Sequence, residues 1–357
     1  MKKNILFSTT RQWNPGDEFI LMGVINLLKD VIGEFNPIIY NRNPEVRQST
    51  NYLNPFRHSK YCNKFFKGKA RIESFLRIGF WDNSFKDEMD LDFIDMVVFA
   101  GSPEWMGRRL LPLYKKLLDY EKPIIYLGIG SGSKLSFNDI KSPYVDVLRK
   151  AKLITVRDSL TYELLKPLNP HYLPCPALFS SSYEKKIREV KKVGLIFATD
   201  KAVVNNRISK ETYQYLLSLY DELIENFDCE IVCHYIDELP EAFRIYKGME
   251  IHYSYDAKDY LDIYKRFDLV IGPRVHGIGI SASIGIPGIL IVHDMRGETG
   301  RGFLAEIVKV GEDIGRIIKF IEKENIISRS TNILRHKKRN RDKYIKLIEA
   351  LSEYFKY

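Results

Sequence analysis

Short apolar runs alternate with amphipathic segments along most of this chain, a pattern that a parallel sheet with crossing helices satisfies and few other architectures do. In the first half the runs are Asn4 to Ser8, Pro37 to Tyr40, Met96 to Ala100, Ile124 to Leu127 and Leu153 to Val156. In the second they are Val193 to Ala198, Glu230 to His234, Ile251 to Ser254, Asp268 to Ile271 and Gly288 to Val292. Between the first two runs, Ile20, Val24, Leu27 and Val31 recur at helical spacing. Further helices are expected around Tyr213 to Phe227, Asp259 to Phe267 and Phe303 to Val308.

With 357 residues the chain exceeds one ordinary core and suits two. The break falls after Leu173-Pro174-Cys175-Pro176-Ala177, where a charged stretch through Lys192 begins. The expected organisation is an N-terminal domain over 1–185 with an insertion around 41–90, a C-terminal domain over 186–325, and a basic helical tail over 326–357. Two α/β halves with facing strand ends leave a cleft between them.

Hydrophobic residues at 45% and charged residues at 28% describe a globular protein, and no apolar stretch is long enough to span a membrane. The apolar run at the N-terminus is too short for a signal-peptide core, so a cytoplasmic address is expected. Cys229 and Cys233 lack zinc-ligand spacing and a second pair, which favours core packing over a metal site. The net charge of +9 favours anionic partners, and part of it sits in Arg335-His336-Lys337-Lys338-Arg339. That segment reads as a solvated helix face, or as a contact for an acidic membrane or a lipid-linked substrate. No nucleic-acid-binding signature accompanies it.

The chemistry-bearing residues collect where strands are expected to end. Gly272-Pro273-Arg274-Val275-His276-Gly277 follows a buried run and opens a helix of small residues, placing a cation and an imidazole at a strand-to-helix junction suited to an anion. Asn14-Pro15-Gly16-Asp17 reads either as a helix start or as backbone N–H groups offered to an anion. Gly101, Gly128, Gly130 and Gly132 sit at turns where backbone approaches a ligand closely, but no dinucleotide or phosphate-loop fingerprint is complete, so no nucleotide cofactor is indicated. Arg157 offers a guanidinium fork at another strand end, unless it pairs with Asp158. His234 is a cleft or loop histidine, and Arg296 and Arg301 are rim charges.

Taken together, Asn14-Pro15-Gly16-Asp17, the glycines at 128, 130 and 132, Arg157-Asp158 with Thr161, and the segment from Gly272 to Pro287 followed by His293-Asp294 resemble the polysaccharide pyruvyl transferase family. The resemblance runs through nearly the whole chain in motif order, and Arg274-Val275-His276-Gly277 is its most specific part. It implies a GT-B-like shape of two Rossmann-like domains facing a central cleft. It also implies transfer of the pyruvyl unit of phosphoenolpyruvate, a co-substrate rather than a cofactor, to sugar hydroxyls as a ketal in surface polysaccharide or cell-wall glycan synthesis. Carried over residue by residue, Arg157, Arg274 and His276 face phosphoenolpyruvate, with His276 as proton donor or phosphate ligand; Asp17, Asp158 or Glu104 supplies the base. The family often has Asp-Pro where this chain has Cys175-Pro176.

Two other functions fit the same architecture. One is a glycosyltransferase using a nucleotide sugar, for which Glu298 is the candidate ribose-binding carboxylate. The other is a non-catalytic homologue that binds acidic glycans through its cationic cleft.

Overall fold

The computed structural model describes residues 2–10, 14–42, 90–101, 110–131, 134–202, 207–323 and 326–355. Most of the expected insertion, together with Glu104 and Gly132, lies outside them.

Twelve strands within these residues form two sheets. The first contains β1 (Asn4–Thr9), β2 (Asn36–Asn41), β3 (Met96–Ala100), β4 (Ile124–Ile129), β5 (Leu153–Val156) and β6 (His171–Tyr172), in the order β2-β1-β3-β4-β5-β6. The second contains β7 (Lys192–Ile196), β8 (Asp228–Val232), β9 (Ile251–His252), β10 (Leu269–Gly272), β11 (Gly288–Val292) and β12 (Glu306–Lys309), in the order β12-β11-β10-β7-β8-β9. All pairings are parallel. Each sheet therefore has a switch point, between β1 and β3 in the first and between β7 and β10 in the second, where successive crossovers leave in opposite directions and a crevice opens at the carboxyl ends.

The central strands are buried on both faces, which is why they read as unbroken apolar runs. The edge strands behave differently. Both residues of β6 are exposed, and β12 is only half-buried, so neither carries an apolar run. The stretch expected to be helical from Phe303 to Val308 is instead a turn followed by β12. The chain reverses at Leu304 (φ 55°), after which Ile307 and Val308 pair with Leu290 and Ile291.

Helix α1 (Pro15–Ile32) starts where Asn14 accepts the Gly16 N–H at 3.1 Å, with Pro15 in its first turn, and ends at Gly33 (φ 78°). Its buried face, with Phe19, Ile20, Val24 and Leu28, joins an apolar cluster that also takes in Ile196, Val270, Ile278 and Leu290 of the second half. Three further helices matter to the site: α2 (Ser159–Leu165), α3 (Val275–Ile284) and α4 (Ile326–Glu349).

Helix α4 follows the second sheet in sequence but crosses back onto the first half. Arg341 pairs with Asp30 of α1. Tyr344 is fully buried, donates to the Pro174 carbonyl at 2.9 Å and meets the Phe179 ring edge-on at 5.4 Å. Burying a side chain of that size contributes on the order of 2–3 kcal/mol, enough to hold the helix in place. Lys337, also buried, donates to the carbonyls of Ser181 and Ser283 and so ties the segment between the sheets to α3. Cys229 and Cys233 lie in the apolar cluster on the outer face of the second sheet.

Candidate active site

The carboxyl ends of both sheets meet at a cavity of about 160 Å³. Its walls are made by the start of α1 (Asn14, Gly16, Asp17), the turns after β4 and β5 (Gly130, Ser131, Arg157, Asp158), the turn after β8 (His234, Tyr235), the junction of β10 with α3 (Pro273 to His276), and Arg296 with Thr299. Polar atoms join the halves directly: Asn14 Oδ1, which caps α1, also accepts the Tyr235 hydroxyl at 3.0 Å.

Three helices begin here, and their N-termini differ. Asn14 caps α1, and the Asp158 carboxylate caps α2 by accepting the Thr161 N–H at 2.8 Å. At α3 the capping position is Arg274, whose side chain makes no capping hydrogen bond, and no other side chain among the described residues takes the first-turn N–H groups. An uncapped helix start at a cavity wall is a place for a bound anion.

The two arginines flanking the cavity also differ. Arg274 is buried, donates to Glu238 Oε1 at 2.5 Å and lies over the Tyr235 ring. Burial alone would lower its pKa, but the buried Glu238 carboxylate overrides this and holds the guanidinium charged. Glu238 Oε2 in turn accepts the backbone N–H groups of His234 and Tyr235 at 2.8 and 3.0 Å, so one carboxylate fixes both the cation and the turn after β8. Arg157 is equally buried and has no carboxylate within ion-pair distance among the described residues. Its Nη1 reaches only the Gly128 carbonyl at 3.4 Å and Cys175 Sγ at 4.0 Å, and its Nε has no partner. A buried cation in that state is poised for an anion from outside the chain.

His276 sits in the first turn of α3 with its Nε2 buried and unpartnered. Burial first, and then the charges of Arg157 and Arg296, push its pKa well below the ordinary histidine value. The imidazole is therefore neutral in the empty cavity at neutral pH. His234 lines the cavity from the turn after β8, its Nε2 at 2.8 Å from the Tyr264 hydroxyl, and burial together with Arg274 lowers its pKa to about 3.

The remaining expected site residues fall into several groups. Asn14, Gly16 and Gly130 line the cavity. Asp17 lines it too, but its carboxylate accepts from Arg42 at 3.1 Å. Arg296 is at the rim, held by Asp294. Gly101 and Gly128 do not reach the wall: Gly101 (φ 104°) packs against Ile20, and Gly128 (φ 65°) lies against the Pro176 ring, where a side chain would collide. Their backbone freedom serves helix and loop packing behind the site. Glu298 accepts from the Ser159 N–H and hydroxyl and from the Tyr172 hydroxyl, a strap between the two halves that leaves the carboxylate engaged rather than free for a ribose.

The sequence profile of the polysaccharide pyruvyl transferase family, compared with this chain, matches residues 14–295. The chain belongs to that family. A comparison with curated protein sequences gives no significant match. Among solved structures, the chain is similar to S. aureus MnaA in its co-structure with UDP, with 13% identity, a TM-score of 0.50, and coverage of 92% of this chain and 90% of that one. It is also similar to a UDP-N-acetylglucosamine 2-epimerase, with 11% identity, a TM-score of 0.51, and coverage of 93% and 91%. At such identities the likeness establishes the fold, two parallel-sheet α/β domains arranged as in GT-B enzymes.

In this pyruvyl transferase family member the cavity contains residues that the motifs do not name. Ser131, Tyr235 and Thr299 line it, and Glu238 stands behind it. Glu238 is readable in hindsight as the third residue after Tyr235, the spacing of a capping box, which the short turn Ile236–Glu238 uses. No helix among the described residues is long and apolar enough to cross a membrane.

Proposed function

We propose that the protein transfers the pyruvyl group of phosphoenolpyruvate to hydroxyls of a saccharide acceptor, forming a ketal during surface polysaccharide or cell-wall glycan synthesis. The observation that carries this reading is the pairing of Arg157, a buried cation with no carboxylate partner among the described residues, with the start of α3 across a small cavity. A compact phosphate ester with a carboxylate at its other end needs two such elements, one for each anionic end. Family membership supplies the reaction class.

In the reaction proposed, the donor's methylene carbon takes a proton, and positive charge builds on the neighbouring carbon bearing the phosphate ester oxygen. An acceptor hydroxyl oxygen attacks that carbon and gives up its proton. The carbon–oxygen bond to phosphate then breaks, inorganic phosphate leaves, and a second hydroxyl closes the ketal. Atoms balance with one phosphate released per pyruvyl group transferred. His276 is assigned the proton delivered to the methylene carbon. Burial first, and then the neighbouring cations, hold it neutral, and an anion bound between Arg157 and α3 adds a charge that favours the protonated ring. Asp158, at the wall beside Arg157 and free of any ion pair among the described residues, is the better placed of the two described carboxylates to receive the hydroxyl proton; Asp17 is engaged with Arg42. Phosphoenolpyruvate is a cytoplasmic metabolite, so the reaction is assigned to that compartment.

The test is to supply phosphoenolpyruvate with nucleotide-linked and lipid-linked saccharides, then follow phosphate release and the mass increase of a pyruvyl ketal on the sugar. Phosphate release that depends on acceptor, with the matching mass, supports the reading. Stabilisation by UDP or GDP, with no response to phosphoenolpyruvate, would replace it with glycosyl transfer.

A further inference from the structure

The cavity of about 160 Å³ suits the donor, and a saccharide acceptor must extend out of it. This inference rests on the transfer reaction proposed above. Glu298 stands between the cavity and the surface on one side: its neighbours Arg296 and Thr299 line the cavity, while its Oε1 accepts from the Tyr172 hydroxyl at 3.2 Å. Tyr172 ends β6, and beyond it a groove of about 600 Å³ runs between that edge strand and α4.

The groove has two chemically distinct walls. On one, the rings of Tyr162 and Tyr172 lie 6.0 Å apart, and Tyr172 is 50% exposed. Flat aromatic faces accept the apolar C–H faces of sugar rings and leave the hydroxyls to water. On the other, Lys343 and Lys346 project from α4, one helical turn apart and both exposed. No acidic residue lines the groove among the described residues. Two unopposed ammonium groups facing an aromatic platform match a sugar that carries phosphate.

We propose that this groove is the acceptor subsite and that it takes a phosphorylated saccharide, with sugar rings on Tyr162 and Tyr172 and phosphate oxygens at Lys343 and Lys346. The reacting sugar then lies toward Glu298 and the cavity. Phosphate at this position is common to nucleotide-linked and lipid-linked sugars, and both enter the test.

The full-length protein is titrated, by ligand-observed NMR or calorimetry, with N-acetylglucosamine, N-acetylglucosamine 1-phosphate and UDP-N-acetylglucosamine. It is also titrated with polyprenyl diphosphate-linked N-acetylglucosamine in phosphatidylcholine vesicles, where tighter binding than to the UDP sugar marks a lipid-borne acceptor and the reverse a nucleotide-borne one. The phosphorylated sugars should bind at least about tenfold more tightly than the neutral one. The double variant Lys343→Glu with Lys346→Glu should remove that advantage without changing phosphoenolpyruvate binding, and Tyr172→Ala should weaken all the sugars while Tyr172→Phe keeps most of the affinity. Unchanged phosphosugar affinity in a normally melting double variant overturns the proposal. So does loss of binding only to phosphatidylglycerol vesicles, which would assign the lysines to a membrane surface. Because binding is read without turnover, a failure of pyruvyl transfer and a failure of this subsite are separate results.

Discussion

A methyl group placed on Gly16 would lie 2.6 Å from Nδ1 of His276, so the first turn of α1 in one half is in van der Waals contact with the first turn of α3 in the other. The imidazole is positioned by the absence of a side chain across the cleft. Gly16→Ala should therefore displace His276 and lower acceptor-dependent phosphate release about a hundredfold. The melting temperature should stay close to that of the unmodified protein, because the displaced ring can turn into the cavity. Full turnover in Gly16→Ala would show that the ring position is not critical.

Arg157 and His276 should separate in kinetics. Arg157→Met removes a charge-assisted contact to the donor and should raise KM for phosphoenolpyruvate by roughly tenfold to a hundredfold. His276→Gln keeps the shape but cannot deliver the proton, and should lower kcat by about a hundredfold or more with little change in KM. Equal effects of both variants on KM alone would make His276 a phosphate ligand.

His276 starts below the ordinary histidine range because of burial and the neighbouring cations, and a bound anion adds the opposite charge. Donor binding near pH 7 should therefore draw up to one proton from solvent. Calorimetry in buffers of different ionisation enthalpy measures this directly, and His276→Gln should abolish it. A proton count of zero in the unmodified protein would take His276 out of the acid role.

His234 contributes to the pH dependence of stability, as does His276. The pKa of His234 is about 3 when folded against the ordinary value of 6.5, so above pH 6.5 both states hold it neutral and it contributes no slope. Below that, the unfolded chain binds the extra proton first, and stability falls as pH drops toward 3, by an amount on the order of 5 kcal/mol. Denaturant midpoints between pH 7 and pH 4 should show this loss, and His234→Gln should reduce it, leaving the part that His276 contributes.

Glu238→Ala leaves Arg274 buried without its carboxylate and strips the acceptor from the N–H groups of His234 and Tyr235. The expected cost is about 3–5 kcal/mol of stability. Chemical denaturation of Glu238→Ala, compared with the double variant carrying Arg274→Met, checks the cause: the double variant should recover part of the loss.

The sequence carries the central strands because burial on both faces demands unbroken apolar runs such as Met96 to Ala100. It hides β6 and β12 because an edge strand needs neither length nor apolarity, and the residues of β6 are both exposed. Glycine after a strand proved ambiguous for a physical reason. Gly16 and Gly130 make room for side chains of the site itself, His276 and Arg157, whereas Gly128 makes room for Pro176 and Gly101 for Ile20. The two arginines look alike in sequence, and only folding separates them, since the partner of Arg274 comes from a turn that follows a different strand. Arg157 has Cys175 beside it, whose buried thiol is pushed above its ordinary pKa and so brings no negative charge to the guanidinium.

Helix α4 belongs to the second half by chain order and to both by contact, with Ser330 and Lys337 on the carbonyls of Gly285 and Ser283 and Tyr344 sunk between Pro174 and Phe179. A piece of the chain cut after the first sheet would keep its strands but lose the cover over that apolar surface, and the remaining piece would carry a helix with its tyrosine bare. The two halves are thus stitched by α4, and an exchange of one half with a relative would have to preserve both the first turns of this helix on the second half and its last turns on the first.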